Sequence, residues 1–398
     1  MSKKKLYGML TFTIATFALL AVVIFMEFSQ NNSFASENSE EETVPAIEEI
    51  AQDTIEETLE EETVTTETET ANVGDSQDET FEEDTKDISE ETVMVFAGDV
   101  YLSDYVLNKY NKKDIDGILS KDLQAEFQNS DIAMVNEEFP FSKRGTAMKD
   151  KQYTFRIDPK WVQILSDMNV DIVTLANNHS LDFGEKALLD TFDTLNAAGI
   201  SYVGAGHTID EAKETKYFET NGKTIAILGA SRVIPVPEWN AGTNKAGLFT
   251  TYDPAALVTE IKTAEDQSDF VVVYVHWGIE RDTKPKDYQR NLAKQYIDAG
   301  ADLVIGSHPH VLQGIEYYKD VPIVYSLGNF MFYNSIEQTA LLKAVVNENN
   351  ELKLQLIPCK ASDARTFIVD NTKAKEKFYD YITKISYDIS FDENGFIQ

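Results

Sequence analysis

The sequence predicts an α/β protein, and three observations lead to that class. Short apolar runs rich in Val and Ile recur after residue 90, each ends at a polar cluster, and segments long enough for a helix separate them. The runs are residues 93–97, 132–135, 172–176, 271–275, 303–305 and 323–327. Continuous apolar runs of this length are typical of strands that are buried on both faces of a sheet.

Helices are predicted between these runs, where the chain has room to pack back onto a sheet. The predicted helices span residues 118–128, 161–168, 184–198, 254–265 and 288–299. Two β-hairpins are predicted at Asn221-Gly222 and at 347–350, because their turns carry residues that tolerate positive φ. The closing stretch KAKEKFYDYITKIS predicts an amphipathic helix over 373–386.

Residues 1–36 are set apart by a basic tip and a long apolar stretch. Three lysines at positions 3–5 precede the apolar residues 6–26, about the 20 residues that cross a bilayer core. We predict an uncleaved signal-anchor whose transmembrane helix leaves the lysines in the cytoplasm and the rest of the chain outside. The alternative is a cleaved signal peptide, for which residues 33–35 offer a small-residue cleavage site.

Residues 37–90 are predicted to be a disordered acidic linker. They hold 22 acidic residues and one base, Lys86. Such a segment buries too little apolar surface to offset its ordering entropy, and self-repulsion extends it. A solvated spacer is the first interpretation, and a specific role such as binding cations or mimicking a polyanion is the second. Residues 91–398 are predicted to form the globular domain.

The composition excludes two features. The formal net charge is −33, which argues against a nucleic-acid partner because phosphates must be neutralised by Lys and Arg. The single cysteine, Cys359, excludes an intrachain disulfide. An exported domain of this kind depends on its apolar core or on metals for stability.

The polar clusters at the strand ends hold candidate metal ligands. Four of the 5 histidines stand there, beside carboxylates and a side-chain amide. The candidates are Asp99, Glu137 or Glu138, Asn178, His179, His276, His308 and His310. Ligands of open α/β sheets bind beyond the carboxyl ends of the strands. A mixed N/O set without thiolate suits Zn²⁺, Mn²⁺ or Fe²⁺. Because the candidates outnumber the ligands of one tetrahedral ion, we predict a site for two divalent ions.

The motif GSHPH places His308 and His310 one residue apart after an apolar run. In an extended backbone, side chains two positions apart project to the same side. Pro309 would fix φ between them and remove an N–H that needs no partner. The two imidazoles are therefore predicted to reach neighbouring ions.

His179 has a different predicted role. It lies in TLANNHSLDFG, where Asp182 follows three residues later. An imidazole held by a carboxylate can protonate a leaving oxygen, so His179 and Asp182 are the predicted catalytic pair. The alternative for Asp182 is a cap or first-turn residue of the helix that begins near residue 184. His207 is predicted to be a loop histidine without a chemical role.

Six motifs follow one another along residues 93–330: FAGDVYLSD, VNEEFPFS, TLANNHSLDFG, VVYVHWGIE, GSHPHVLQG and YSLGNF. This series resembles the motifs of CapA-type capsule (poly-γ-glutamate) biosynthesis proteins, in the calcineurin-like metallophosphatase superfamily. The resemblance implies a four-layer α-β-β-α sandwich with metal ligands on loops after strands. It also implies anchoring outside the cell, alongside the membrane-bound synthase of an anionic polymer.

The resemblance also implies roles for individual residues. His179 matches the general acid of the family. The implied metal ligands are Asp99, Glu138, Asn178, His276, His308 and His310. Two departures stand out: Tyr101 occupies the position of the histidine in the superfamily's Asp-x-His, and the family's Asn-Leu-Glu reads Asn136-Glu137-Glu138 here.

Three functions remain open from the sequence. The first is a membrane-anchored extracellular protein that acts in capsule or poly-γ-glutamate biosynthesis or export, through a metal-dependent, phosphoesterase-like site. The second is an extracellular metal-dependent phosphoesterase without a capsule role, and the third is a non-catalytic surface module that holds metal. An anionic polymer would need positive charge, either from bound cations or from side chains near the motifs. Those side chains, which are otherwise solvated surface residues, are Lys143, Arg144, Arg156 and Arg281.

Overall fold

The computed structural model describes residues 91–398, and most of their strands form two large β-sheets. The predicted anchor (1–36) and linker (37–90) lie outside the described residues. The strands of the described part are β1 (Thr92–Val100), β2 (Ile132–Glu137), β3 (Ile172–Thr174), β4 (Ser201–Val203), β5 (Ala205–Gly206), β6 (Lys216–Thr220), β7 (Lys223–Ser231), β8 (Gly247–Leu248), β9 (Phe270–His276), β10 (Leu303–Ser307), β11 (Ile315–Tyr318), β12 (Val321–Val324), β13 (Asn329–Met331), β14 (Ser335–Val346), β15 (Leu352–Ser362) and β16 (Arg365–Ile368).

The larger sheet has eight strands and the smaller has six. The larger sheet runs β16-β15-β14-β1-β2-β3-β4, with β13 paired to β1 at its end. The smaller sheet runs β11-β12-β10-β9-β7-β6, and β5 and β8 form a separate pair. The central pairs β1–β2, β2–β3, β7–β9 and β9–β10 are parallel. Their carboxyl ends therefore lie at one edge of each sheet, as the predicted α/β class requires.

Helices connect most of the parallel strands. They are α1 (Asp104–Lys113), α2 (Ile115–Ile118), α3 (Lys121–Gln128), α4 (Gln163–Asp167), α5 (Glu185–Ala198), α6 (Ile209–Ala212), α7 (Ala255–Glu265), α8 (Asp287–Asp298) and α9 (Thr372–Ile385). The predicted helices at 184–198, 254–265, 288–299 and 373–386 are confirmed within two residues at each end. None of the helices in residues 91–398 is both long and apolar enough to cross a membrane.

The apolar residues form three main cores on opposite faces of the two sheets. Because strand side chains alternate, Val95 of β1 belongs to a core that includes Leu123 of α3. Its neighbour Phe96 belongs to a second core that includes Val272 of β9, between the sheets. The third core joins the other face of the smaller sheet to α7 and α8. Helices thus cover the outer faces of two sheets that pack on each other.

Both hairpin predictions are confirmed. β6 and β7 pair antiparallel around Asn221 and Gly222, whose φ angles are 49° and 74°. β14 and β15 pair in the same way around Asn350, at φ 63°. Asn and Gly adopt this left-handed conformation at low cost, which is why both turns were readable in the sequence.

The helix predicted over 118–128 is confirmed over Lys121–Gln128, but its predicted start is wrong, because the chain leaves the helical conformation at Leu119 and Ser120. Leu119 bridges to Thr366, and the Ser120 N–H donates to the Thr366 carbonyl at 3.0 Å. Pairing with a strand distant in sequence overrides local helix propensity here. The segment 161–168 is likewise divided, into a 3₁₀ turn over Pro159–Val162 and α4.

Several strands extend further into the polar motifs than predicted, while β3 and β12 stop short of their predicted ends at 176 and 327. β1 continues past Ala97, so that Asp99 is part of the sheet and pairs with Asn136 of β2 and Asn329 of β13. Gly98 permits this close packing, since a Cβ there would lie 1.9 Å from the Gly328 carbonyl oxygen. The register thereby places three polar residues side by side at one sheet edge.

Candidate metal centre

A buried group of Asp99, Glu138 and His276 forms the centre of the site. Each residue offers one ligand atom, and these atoms lie within 4.8 Å of one another. All three side chains are fully buried. Asp99 comes from β1, Glu138 directly follows β2, and His276 ends β9. Three segments distant in sequence thus meet where the carboxyl ends of the two sheets converge, and the group is able to hold a metal ion.

The two histidines of the GSHPH motif lie beside this group. His310 Nδ1 is 3.0 Å from Asp99 Oδ2, 3.9 Å from Glu138 Oε2 and 2.7 Å from Asn329 Oδ1. The His308 ring centre lies 4.7 Å from that of His276 and 5.9 Å from that of His310. Both predicted imidazoles therefore reach the site.

The predicted extended backbone at these histidines is wrong. His308 has φ 96° and His310 has φ 59°, so both residues lie in the left-handed region that non-glycine residues rarely adopt. The chain turns sharply after β10, and the turn itself directs the two rings inward. Non-glycine residues held at positive φ cluster at functional sites, where the surrounding structure compensates their cost.

Asn178 also reaches the site through its side-chain amide. Its Oδ1 lies 2.7 Å from Nε2 of His276. The structure therefore brings together all six predicted ligands. It also decides which of the two candidate glutamates is the ligand. Glu138 Oε1 lies 3.4 Å from His276 Nε2, whereas both Glu137 carboxylate oxygens are buried without a hydrogen-bond partner in residues 91–398.

Asn136 connects the central ligands to one another, and sequence reasoning did not assign it a role. Its Nδ2 donates to Asp99 Oδ1 at 2.8 Å and to Glu138 Oε1 at 3.3 Å. Its own Oδ1 accepts from Asn177 Nδ2 at 3.1 Å. Hydrogen bonds of this kind orient metal ligands and tune their basicity. The signal in the sequence was its position directly before the two glutamates.

Burial and neighbouring charge shift the protonation of these side chains. Burial, followed by the charge of Asp99, raises the pKa of Glu138 well above its usual range. Burial lowers the pKa of His276 well below its usual range and that of His308 to about 3. Burial also acts to lower the pKa of His310, but the charges of Glu138 and Asp99 outweigh it and raise the pKa to about 10. Two of the imidazoles are thus held in the neutral form that binds metals.

Two buried polar atoms test whether these residues fit a metal. Glu138 Oε2 and His308 Nδ1 make no hydrogen bond to any of residues 91–398. Buried polar atoms normally have partners, so unsatisfied atoms on residues of one candidate ligand set fit an ion. The donors are carboxylate oxygens, imidazole nitrogens and an amide oxygen, a set that suits Zn²⁺, Mn²⁺ or Fe²⁺. The residues present therefore fit divalent ions.

His179 and Asp182 form a hydrogen-bonded pair next to these ligands. His179 Nδ1 lies 2.7 Å from Asp182 Oδ2, and both residues are buried. Phe155 stacks on the imidazole at 4.3 Å between ring centres and donates its backbone N–H to Asp182 Oδ2 at 2.7 Å. Asp182 does not cap α5, because the N-cap of that helix is Gly184. The geometry is that of an imidazole oriented by a carboxylate.

Lys151 completes this pair, and sequence reasoning missed it. Its ammonium binds the Asp182 carboxylate and the Asn178 carbonyl, and lies 3.1 Å from His179 Nδ1. Burial lowers its pKa, although Asp182 opposes that shift. Lys151 lies in a turn-rich segment between β2 and β3, without periodicity or a motif. Nothing in the sequence distinguished it from a surface lysine.

The family of the chain follows from comparison with known proteins. The profile of the family described as bacterial capsule synthesis protein PGA_cap matches residues 93–334. That match covers more than half of the chain and contains every predicted ligand. The chain belongs to the PGA_cap family. The predicted kinship with CapA-type proteins is thereby confirmed.

Three relatives support this membership. The PGA biosynthesis protein CapA of Bacillus subtilis (strain 168) is 33% identical over 287 residues, covering 71% of this chain and 75% of the relative. The capsule biosynthesis protein CapA of Bacillus anthracis is 30% identical over 306 residues, or 74% of each chain. A probable polyglutamine synthesis accessory protein of Mycobacterium tuberculosis (strain ATCC 25618 / H37Rv) is 30% identical over 258 residues, covering 59% of this chain and 67% of the relative.

Tyr101, which occupies the position of the histidine in Asp-x-His in this PGA_cap chain, lies in an aromatic cluster. Its ring stacks on Phe155 at 3.9 Å and lies 5.3 Å from the ring of Phe332. Phe155 in turn stacks on His179. Tyr101 therefore packs against the ring that contacts the His179 imidazole.

The remaining predicted side chains lie in surface interactions. His207 is exposed and 2.6 Å from Glu211, as expected for a loop histidine. Lys143 pairs with Asp158 at 3.2 Å, and Arg144 pairs with Asp190. The Arg156 guanidinium lies 4.1 Å from the ring centre of Phe183. Arg281 is the exception, since it lines a cavity whose wall also includes His179 and His310.

Proposed function

We propose that this protein is anchored in the cell membrane by residues 1–36 and acts outside the cell in the synthesis or export of an anionic capsule polymer such as poly-γ-glutamate. PGA_cap membership and the names of the relatives support the polymer. The basic tip and apolar stretch support the anchor. Membrane-bound polymer synthase subunits are the proposed partners, and the acidic segment 37–90 is the proposed spacer.

A metal-dependent site is the second part of the proposal, and the buried group of Asp99, Glu138 and His276 carries it. Asn178, His308 and His310 would complete the ligand set for two divalent ions. Such ions would polarise the bond to a phosphoryl or acyl oxygen and lower the pKa of a bound water. Helices outside two packed sheets support kinship with the four-layer metallophosphatase sandwich.

The His179–Asp182 pair favours hydrolytic chemistry at this site. Asp182 fixes the ring orientation through the 2.7 Å contact, which leaves Nε2 of His179 as the nitrogen that exchanges a proton. A general acid next to metal ligands suits a phosphoester substrate. An extracellular phosphoesterase without a capsule role is therefore the second candidate function. A non-catalytic module that holds metal would not require this pair.

Deletion of the gene and measurement of surface polymer test the capsule role. Loss of polymer, restored by the wild-type chain and not by Asp99→Asn, is expected. Asp363→Asn is the matched control, because Asp363 lies at the surface in an exposed pair with Lys109 and its substitution should restore polymer. Unchanged polymer in the deletion strain would show that the capsule role is wrong.

A separate assay decides between the catalytic functions and the binding module. The purified full-length chain is supplied with Mn²⁺ and tested on phosphomonoesters and phosphodiesters. Turnover that His179→Ala abolishes, with an unchanged melting temperature, is expected for a hydrolase. Absence of turnover on every substrate, together with a melting temperature that falls when metal is removed, would instead support the module.

A further inference from the structure

A cavity of about 640 Å³ opens beside His179 and His310. Six aromatic residues contribute to its wall, and two of the rings, Tyr153 and Tyr333, are 63% and 53% exposed. The aromatic lining residues are Tyr101, Tyr153, Phe155, Phe332, Tyr333 and Tyr381. Exposed aromatic rings that line a concave site usually contact a ligand rather than solvent.

Among the described residues that line this cavity, Arg281 is the one lysine or arginine. Its guanidinium makes no ion pair or side-chain hydrogen bond within residues 91–398. The other arginines do have partners: Arg144 binds Asp190, Arg290 binds Glu316, Arg365 binds a carbonyl, Arg156 binds a carbonyl, and Arg232 stacks on Tyr252. A free guanidinium at a cavity wall retains all five of its donors for a ligand.

The backbone holds Arg281 in place. Its φ is 62°, in the left-handed region, and its N–H donates to the Pro309 carbonyl at 2.7 Å. The next residue, Asp282, accepts at its carbonyl from Gln313 Nε2 at 2.7 Å. Two hydrogen bonds therefore tie this loop to the turn that carries His308 and His310. A residue held at positive φ by its surroundings is pre-organised.

We propose that Arg281 determines specificity in this cavity by binding one oxyanion of the substrate, a carboxylate or a phosphate. This inference rests on the proposed function only in that the substrate is anionic. The planar guanidinium forms two parallel hydrogen bonds with either group, which a lysine cannot reproduce. Glu280 and Glu337 also line the cavity and repel further anions, so the cavity accommodates one oxyanion while aromatic rings contact the apolar part of the substrate.

Calorimetric titration of the full-length chain, loaded with Mn²⁺, tests this assignment with two probes, inorganic phosphate and γ-glutamylglutamate. Arg281→Gly is expected to bind the recognised probe about tenfold or more weakly, which is the loss expected for a charge-assisted hydrogen bond. Arg281→Lys should fall between this variant and wild type. Lys284→Gln removes one positive charge from the same loop without lining the cavity, and should bind within about twofold of wild type.

The two probes distinguish the source of the oxyanion. A loss confined to phosphate identifies a phosphoryl group, a loss confined to the dipeptide identifies a carboxylate, and either result supports the assignment. Arg281→Gly should melt at or above the wild-type temperature, because glycine adopts positive φ without strain. Equal affinities of this variant and wild type for both probes, or no binding of either probe by wild type, would overturn the assignment. Weaker binding with normal polymer in the deletion strain would instead overturn the capsule role alone.

Discussion

His310 Nδ1 lies 3.0 Å from Asp99 Oδ2, although the two residues are contributed by different sheets, one within a strand and the other from the turn after a strand. Asp99 is part of β1 in the larger sheet, and His310 follows β10 in the smaller sheet. The ligands of the candidate metal centre are therefore divided between two sheets whose carboxyl ends converge. Packing of one sheet on the other is required to assemble the site, so binding of an ion at this candidate centre would be coupled to folding.

Glu138→Gln should weaken Mn²⁺ binding by at least about tenfold, because the substitution removes a charged ligand atom from the central group. Glu137→Gln is the matched control, since it changes a neighbouring buried glutamate whose carboxylate makes no hydrogen bond to the ligands or to any other of residues 91–398. Equilibrium dialysis followed by elemental analysis of the full-length chain measures both variants. Equal losses of metal in the two variants would contradict the assignment of Glu138.

Glu137→Leu should raise the free energy of unfolding by about 1–3 kcal/mol. The side chain is fully buried, and neither carboxylate oxygen has a hydrogen-bond partner among residues 91–398. Leucine also restores the Asn-Leu-Glu pattern of the CapA-type proteins that the sequence resembles. Urea unfolding of wild type, Glu137→Leu and Glu137→Gln measures the effect, and the largest gain is expected for leucine. A decrease in the leucine variant would show that the carboxyl group has a partner.

Lys151→Met should lower the free energy of unfolding by about 3 kcal/mol, because it leaves the buried Asp182 carboxylate without its cation. Asp182 has no exposed side-chain surface, and Lys151 has only 13%. Lys109→Met, which breaks an exposed pair with Asp363, should cost no more than about 1 kcal/mol. A double-mutant cycle of Lys151 and Asp182 should show a coupling free energy well above that of the surface pair.

Asp302 should make stability depend on pH in the acidic range. Burial raises its pKa to about 6, above the value of about 3.9 in an unfolded chain. The folded state therefore binds this proton more tightly, and its contribution is fully present below about pH 4 and lost as the pH rises to about 6. The shift corresponds to at most about 3 kcal/mol.

Asp302→Asn tests this dependence. The asparagine retains an oxygen that accepts from the Val271 N–H, as Asp302 Oδ2 does at 2.8 Å. The free energy of unfolding of the variant, measured between pH 4 and pH 7, should fall less than that of wild type and exceed it at pH 7. Asp298→Asn, at an exposed pair with Lys319, should retain the wild-type pH dependence.

Residues whose role depends on local pattern were readable from the sequence. The apolar runs predicted the buried strands, and Asn221-Gly222 predicted its hairpin. The clustering of His276, His308 and His310 after those runs predicted one site. The approach of Lys151 to Asp182, however, depends on a segment without any periodic pattern. The other contacts of its ammonium, with the Asn178 carbonyl and His179 Nδ1, are likewise made to residues more than 25 positions away in the sequence.

The sequence by itself determined the fold class, the family and the six candidate ligands, because strand periodicity and the order of motifs are local properties of the chain. Only the tertiary structure decided which glutamate faces the ligands, that Asn136 and Lys151 join the site, and that the GSHPH turn is left-handed. These features depend on strand register and on contacts between the two sheets. The interaction energies of such contacts arise only when distant segments are packed together, so no local sequence pattern encodes these features.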